Sequence, residues 1–292
     1  MSEYPSGTHH TDVSDPPYVL GRTDDEARRL EVQAAFFELS TRQLLQAAGI
    51  TNGMKVLDIG SGAGDVTLLA AELVGPTGEV VGLDINPQIS AAAARRAAAM
   101  DVSNASFVVG DIRETDLGHE FDAVVGRLVL MYSADPAATL RAAVHAISDD
   151  GLAVFYEMNV GTPVVSLPPS PLHQALGRWL NETFARSGAE LAMGTRLHDV
   201  FVAAGLESPI MSSDVLTGAG PNWVGRFASA FGASLLRSML PSILYYDVAT
   251  ELELALDTFD DRYVEEVVSN RSVVQWLPCV GAWAHKRKPT SV

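Results

Sequence analysis

Val56-Leu57-Asp58-Ile59-Gly60-Ser61-Gly62-Ala63-Gly64-Asp65-Val66-Thr67 sets an apolar strand, a glycine-rich turn and a helix start in immediate succession. Glycines allow positive φ in such a turn and let backbone approach a ligand closely, while the helix start offers unpaired N–H groups. A dinucleotide would suit that geometry in general. Its fingerprint, G-x-G-x-x-G, however, requires a third glycine where this chain has Asp65. The acid Asp58 stands instead inside the strand, two positions before the first glycine.

Outward from this turn, short continuous apolar runs alternate with helical segments. The runs are Val80-Val81-Gly82-Leu83, Phe107-Val108-Val109, Phe121 to Val125 and Leu152 to Tyr156. Between them lie Val66 to Leu73, Ser90 to Met100 and Pro136 to Ile147, the last with Asp135 as cap and proline at its first position. Strands that are apolar throughout, each followed by a helix, specify a parallel sheet covered on both faces. The expected fold is α/β, a doubly wound, mostly parallel seven-stranded sheet. Ser272 to Trp276 and Val280 to Ala284 are expected as its last two strands.

Five segments are expected. Residues 1–17 are polar and without periodicity and read as a disordered tail. Residues 18–50 carry N-terminal helices, opened by the capping box Thr23-Asp24-Asp25-Glu26. Residues 51–159 form the α/β core, 160–245 a helical cap inserted for substrate, and 246–292 complete the core. Within the last two, Leu172 to Phe184, Thr195 to Ala204, Trp223 to Met239 and Ala249 to Val268 read as helices.

Composition narrows the function. The chain has 292 residues, 20 Lys and Arg against 36 Asp and Glu, a net charge of −16, and 47% hydrophobic residues. That balance supports a buried core and provides no basic footprint for nucleic acid. The single Cys279 excludes an internal disulfide, and no apolar stretch reaches the ~18 residues of a membrane span. A cytoplasmic protein with no nucleic acid, no membrane and no metal is expected, and a homodimer stays open. Asp15-Pro16-Pro17-Tyr18 matches a signature of amino-group methylation on nucleic acid. The polar Thr11 to Ser14 before it is no strand, so it reads as a stiff entry to the first helix.

With D-x-G-x-G-x-G at Asp58 to Gly64, Asp84 closing the second strand, Gly110-Asp111-Ile112 after the third and Gly126-Arg127-Leu128 after the fourth, the chain resembles the class I S-adenosylmethionine-dependent methyltransferases. The resemblance covers residues 55–159, with support from 18–50, and the layout is similar to that of the small-molecule type that methylates quinones and natural products. It implies S-adenosylmethionine as cofactor and S-adenosylhomocysteine as product. It further implies that Asp58, Gly60 and Gly62 line the cofactor site and that Asp84 chelates the ribose hydroxyls beside Ile85. Asp111 and Ile112 would meet the adenine, Arg127 the methionine end, and Tyr18 and Gln33 would close over the cofactor.

Methyl transfer from a sulfonium is an in-line displacement in which positive charge is lost, so much of the rate can come from holding the acceptor close and collinear. A base is needed only for an acceptor that arrives protonated. Tyr132, Glu157 and His173 are the candidates for that role. Met131, Tyr132, Trp179, Trp223 and Phe227 are the expected contacts of a small, largely apolar or aromatic acceptor, methylated on oxygen, nitrogen or carbon. Two alternatives stay open: a methyltransferase-like protein that binds the cofactor for cyclisation or regulation, and a nicotinamide oxidoreductase, which the missing third glycine disfavours.

Overall fold

The computed structural model describes residues 24–224 and 230–286, with side chains from Phe36 onward apart from Ala230. The chain begins with α1 (Asp24–Ala48), then alternates β1 (Lys55–Ile59), α2 (Asp65–Val74), β2 (Glu79–Asp84), α3 (Pro87–Ala99), β3 (Ala105–Val109), β4 (Phe121–Arg127), α4 (Pro136–His145) and β5 (Ile147–Met158). Local chemistry starts the helices where the strands stop. The Asn86 side chain accepts from the N–H groups of Gln88 and Ile89, and Pro87 begins α3, so this helix opens directly after β2. Asp135 caps α4 in the same way through the Ala138 N–H.

Each crossover helix returns the chain in the same direction, so β1 to β5 pair in parallel. The full sheet has seven strands, in the order β3-β2-β1-β4-β5-β10-β7, where β7 is Ile210–Asp214 and β10 is Cys279–His285. β10 runs antiparallel to both of its neighbours, β5 and β7. The central strands are buried on both faces: Val56, Leu57, Ala123, Val124, Ala153 and Phe155 are each 0% exposed. The sequence of β1, β4 and β5 therefore reads as continuous apolar runs because neither face meets water.

Beyond β5 the elements are β6 (Val165–Leu167), α5 (Pro171–Arg186), α6 (Met193–Ala203), β7, β8 (Thr217–Gly218), α7 (Gly220–Trp223), α8 (Ala230–Tyr245), α9 (Glu251–Leu254), α10 (Leu256–Ser269), β9 (Val273–Gln275) and β10. Here the sequence expectation needs two corrections. The run Ser272 to Trp276 does not enter the main sheet; Val273–Gln275 pairs with β6 and β8 in a separate three-stranded sheet. The seventh place goes instead to β7, within the stretch read as helical cap. β7 is an edge strand of sequence Ile-Met-Ser-Ser-Asp, exposed along most of its length, so it carries no apolar run to read. Pro278, between β9 and β10, cannot donate to a ladder and separates the two runs.

A smaller difference concerns residues 249–268, where the single expected helix is two. Ala255 takes a left-handed conformation (φ 43°) and divides α9 from α10. Residues 225–229, in the expected helix Trp223 to Met239, lie outside the described residues. Among the described residues, no helix is long and apolar enough to cross a membrane.

The core is one continuous cluster across sheet and helices. Phe155, 0% exposed, presses its ring against Gly126, where a Cβ would lie 2.6 Å from the ring, and packs edge-on against Phe201 of α6 with centroids 6.1 Å apart. Phe155→Ala should therefore destabilise the protein by about 3–5 kcal/mol, measured by urea denaturation.

Candidate active site

A cleft of about 690 Å³ opens above the C-terminal ends of the parallel strands, the place where open α/β sheets bind ligands. The glycine loop forms part of its wall. Gly60 has φ +64°, and a Cβ there would lie 2.6 Å from Cγ2 of Val129, so the loop passes close to the turn after β4 only because this residue lacks a side chain. Gly62 donates its N–H to Oδ2 of Asp84 at 2.9 Å, and Asn86 donates to Oδ1 at 2.8 Å. These bonds fix a carboxylate at the mouth of the cleft. Beside it Ile85, 73% exposed, presents an apolar face to the same cleft.

Asp111 and Ile112 line the far side, beyond β3. The Arg113 guanidinium holds the Asp111 carboxyl, with Nε 3.0 Å from Oδ1, and keeps it below the usual carboxylate range. Arg127 lines the opposite part of the wall, above β4, with Met131 and Tyr132 following in the short 3₁₀ turn Leu130–Tyr132. The cleft continues into an apolar end made by Met158, Phe184, Phe231, Leu235 and Leu277.

Several expected site residues are elsewhere. Asp58 is 1% exposed and does not line the cleft; its Oδ2 accepts from the Thr67 hydroxyl at 2.6 Å, behind the glycine loop. Strand alternation points it at α2, and burial pushes its carboxyl up to about 7. Glu157 is fully buried as well. Its Oε1 accepts from the N–H groups of Val129 (3.0 Å) and Leu130 (2.7 Å), so it braces the turn after β4 from beneath and meets no part of the cleft. Burial also raises this carboxyl, to about 7.

His173 is no candidate base. Its ring nitrogens are 2.7 Å from the Tyr263 hydroxyl and 3.0 Å from the Gln275 carbonyl, tying α5 to α10 and β9, and burial lowers its pKa. Trp179 packs against the core away from the cleft, and Trp223 covers Gly218, where a Cβ would lie 2.1 Å from the indole. In each case helical spacing gave an aromatic or imidazole with no information on which face meets the cleft. Tyr18 and Phe227 lie outside the described residues, as does the side chain of Gln33, a residue of α1.

The site residues expected from sequence leave out Asp65, Phe184, Phe231 and Leu277, which stand on the cleft wall. Only Asp65 had a legible signal, its place directly after the glycine turn at the start of α2. Phe231 reaches the cleft through packing: it stacks on Phe36 of α1 with centroids 4.4 Å apart and meets Trp276 edge-on at 5.3 Å. No group of three or more His, Cys, Asp or Glu among the described residues is placed to hold a metal ion.

A family model described as a methyltransferase domain matches residues 50–196. The chain belongs to the methyltransferase domain family. Its core from β1 through β5 lies within the matched range. The chain is 40% identical over 78 residues to an arsenite methyltransferase of Halobacterium salinarum, covering 27% of this chain and 20% of that protein. It is 29% identical over 122 residues to a demethylmenaquinone methyltransferase of Staphylococcus aureus, covering 41% and 50%. The chain thus spans at most half the length of these curated relatives. A solved S-adenosylmethionine-dependent methyltransferase from Aquifex aeolicus superposes with a TM-score of 0.53 at 13% identity, covering 90% of this chain and 99% of that one, and shares the fold.

S-adenosylmethionine is the cofactor that goes with this family and fold, and the residues present fit it. The Asp84 carboxylate suits ribose hydroxyls, Ile85 and Ile112 suit the faces of a purine, and the space beside Gly62 is open, with nothing within 4 Å of its Cβ position.

The buried carboxyls make stability depend on pH. For Glu157 the folded pKa of about 7 lies above the ordinary 4.5, so its contribution to folding is complete below about pH 4.5 and is lost as the pH rises through 7. Glu157→Gln keeps an acceptor for Val129 and Leu130 and should remove about 3 kcal/mol of that loss between pH 4.5 and 8, read from urea midpoints across the range.

Proposed function

We propose that the protein transfers a methyl group from S-adenosylmethionine to a small, largely apolar or aromatic organic acceptor. The observation that carries this reading is the two-part cleft, polar along Asp84, Asp111 and the glycine loop and apolar along Met131, Met158, Phe184, Phe231, Leu235 and Leu277. When bound, S-adenosylmethionine supplies an electrophilic methyl carbon on a sulfonium. Asp84 would hold the ribose hydroxyls, Ile85 and Ile112 the purine, and the glycine loop would allow close approach.

The apolar end orients the acceptor and excludes water, which is where proximity contributes to rate. Phe231 is held there by its stack on Phe36 and its edge contact with Phe37. Tyr132 lies on the same wall, its ring 6.4 Å from that of Phe184, and would be the candidate for proton transfer from an acceptor that arrives protonated. Glu157 and His173 take no part in proton transfer on this reading, since both are buried in hydrogen bonds away from the cleft.

The names of the two relatives point to different acceptor chemistries, a quinone and arsenite. Arsenite is thiophilic, and the chain's single cysteine, Cys279, is buried in β10 with its thiol pushed up by desolvation. A ring acceptor of quinone type is therefore favoured.

Calorimetry should detect S-adenosylmethionine binding, and Asp84→Asn should weaken it by about 10- to 100-fold. Incubation with the cofactor and a panel of hydroxylated naphthoquinones and other phenols should release S-adenosylhomocysteine with at least one member, followed by mass spectrometry. Cofactor binding without that product across the panel would count against methyl transfer.

A further inference from the structure

The β4 side of the cleft is a single turn. Arg127, Leu128, Val129, Met131 and Tyr132 all line the wall, and Leu130 between them is 0% exposed. Val129 lies against two glycines: a Cβ at Gly60 would be 2.6 Å from its Cγ2, and one at Gly126 3.0 Å from its Cγ1. The turn therefore meets the glycine loop at one end and, through Tyr132 beside Phe184, the apolar part of the cleft at the other.

This turn is strained where it begins. Leu128 takes a left-handed conformation, φ 53°, which a bulky side chain keeps only when its surroundings impose it. Two consecutive residues of β5 impose it. The Leu128 N–H donates to the Tyr156 carbonyl at 2.9 Å, and the next two N–H groups, of Val129 and Leu130, converge on Oε1 of Glu157.

Oε2 of Glu157 is buried with no hydrogen-bond partner among the described residues. Ionised, the carboxylate holds the two N–H groups by charge-assisted bonds; protonation weakens them and leaves a hydroxyl with nothing to accept from it. The neighbouring elements leave that titration to Glu157. α6 faces it with Gly194, whose Cβ position lies 3.1 Å from the Glu157 carbonyl oxygen, and the charged residues of that helix, Arg196, His198 and Asp199, are exposed. Arg141 and His145 of α4 are exposed too, and Glu190, before α6, pairs with Arg196. In β10, Val280 stands opposite Glu157, and the adjacent Cys279 keeps its proton because burial pushes its thiol up. Arg127 and Tyr156 bond elsewhere, to Thr41, Asp65 and Asp214.

We propose that Glu157, as a carboxylate, is the positioning residue that holds this turn in the shape the cofactor requires, so that cofactor affinity follows its ionisation; this rests on S-adenosylmethionine being the ligand of the cleft. A ligand that fits the held turn favours the ionised form, so affinity rises as the pH passes through the carboxyl's value of about 7. The contribution of Glu157 to folding runs the other way, complete at low pH and lost as the pH rises through 7. A residue that only supported the fold would not tighten binding over the range in which its stabilisation is lost.

Calorimetry on the full chain with S-adenosylhomocysteine tests this without any acceptor. Wild type should bind about three- to tenfold more tightly at about pH 8 than at about pH 5.5. Glu157→Gln keeps an acceptor but no charge, and should hold the low-pH affinity of wild type within about twofold across the range. Asp58→Asn, at the other buried carboxyl pushed up to about 7, should retain the wild-type rise.

The wild-type titration needs no variant to fold. Affinity of wild type that is flat across the range would overturn the proposal and leave the cofactor reading intact. A rise that persists in Glu157→Gln would also overturn it, and its loss in Asp58→Asn would assign the titration to Asp58. Failure of wild type to bind at any pH would overturn both the proposal and the cofactor reading.

Discussion

The carboxylate of Asp84 takes backbone N–H bonds from Gly62 on one side and Asn86 on the other, and the cleft depends on that pair of contacts. They join the loop after β1 to the start of α3 across two adjacent strands, so the glycine turn, the strand-end acid and the helix that follows keep one geometry. The loop in turn passes within contact of Val129, which only a glycine at position 60 permits. A ligand site is thereby assembled from backbone held in place by one acid, with little reliance on mobile side chains.

Beneath this surface, two buried carboxyls serve as frame. Asp58 bonds Thr67 of α2 behind the loop, and Glu157 bonds the turn after β4. Both titrate near 7 because burial disfavours their charge, so a raised pKa marks structural bracing in this protein as much as it would mark a catalytic group. The residues at the other end of the cleft are apolar by contrast, and their order comes from the aromatic contacts among Phe36, Phe37, Phe231 and Trp276, which bring α1, α8 and the approach to β10 together.

The chain's own residues were enough to identify β1 to β5, the glycine turn and Asp84, because a sheet buried on both faces writes itself as continuous apolar runs and a tight turn against a neighbouring strand demands glycine. Asp111, Arg127, Met131 and Tyr132 were legible as strand-end residues, since in a parallel sheet those ends share one edge. Tertiary structure alone decided the remainder. It placed Asp58 and Glu157 inside and not on the wall, sent His173 to Tyr263, drew the seventh strand from the exposed segment Ile210–Asp214, and brought Phe231 and Leu277 to the cleft across long stretches of chain. Periodicity records which residues avoid water, whereas the partner each one meets depends on contacts between elements far apart in sequence.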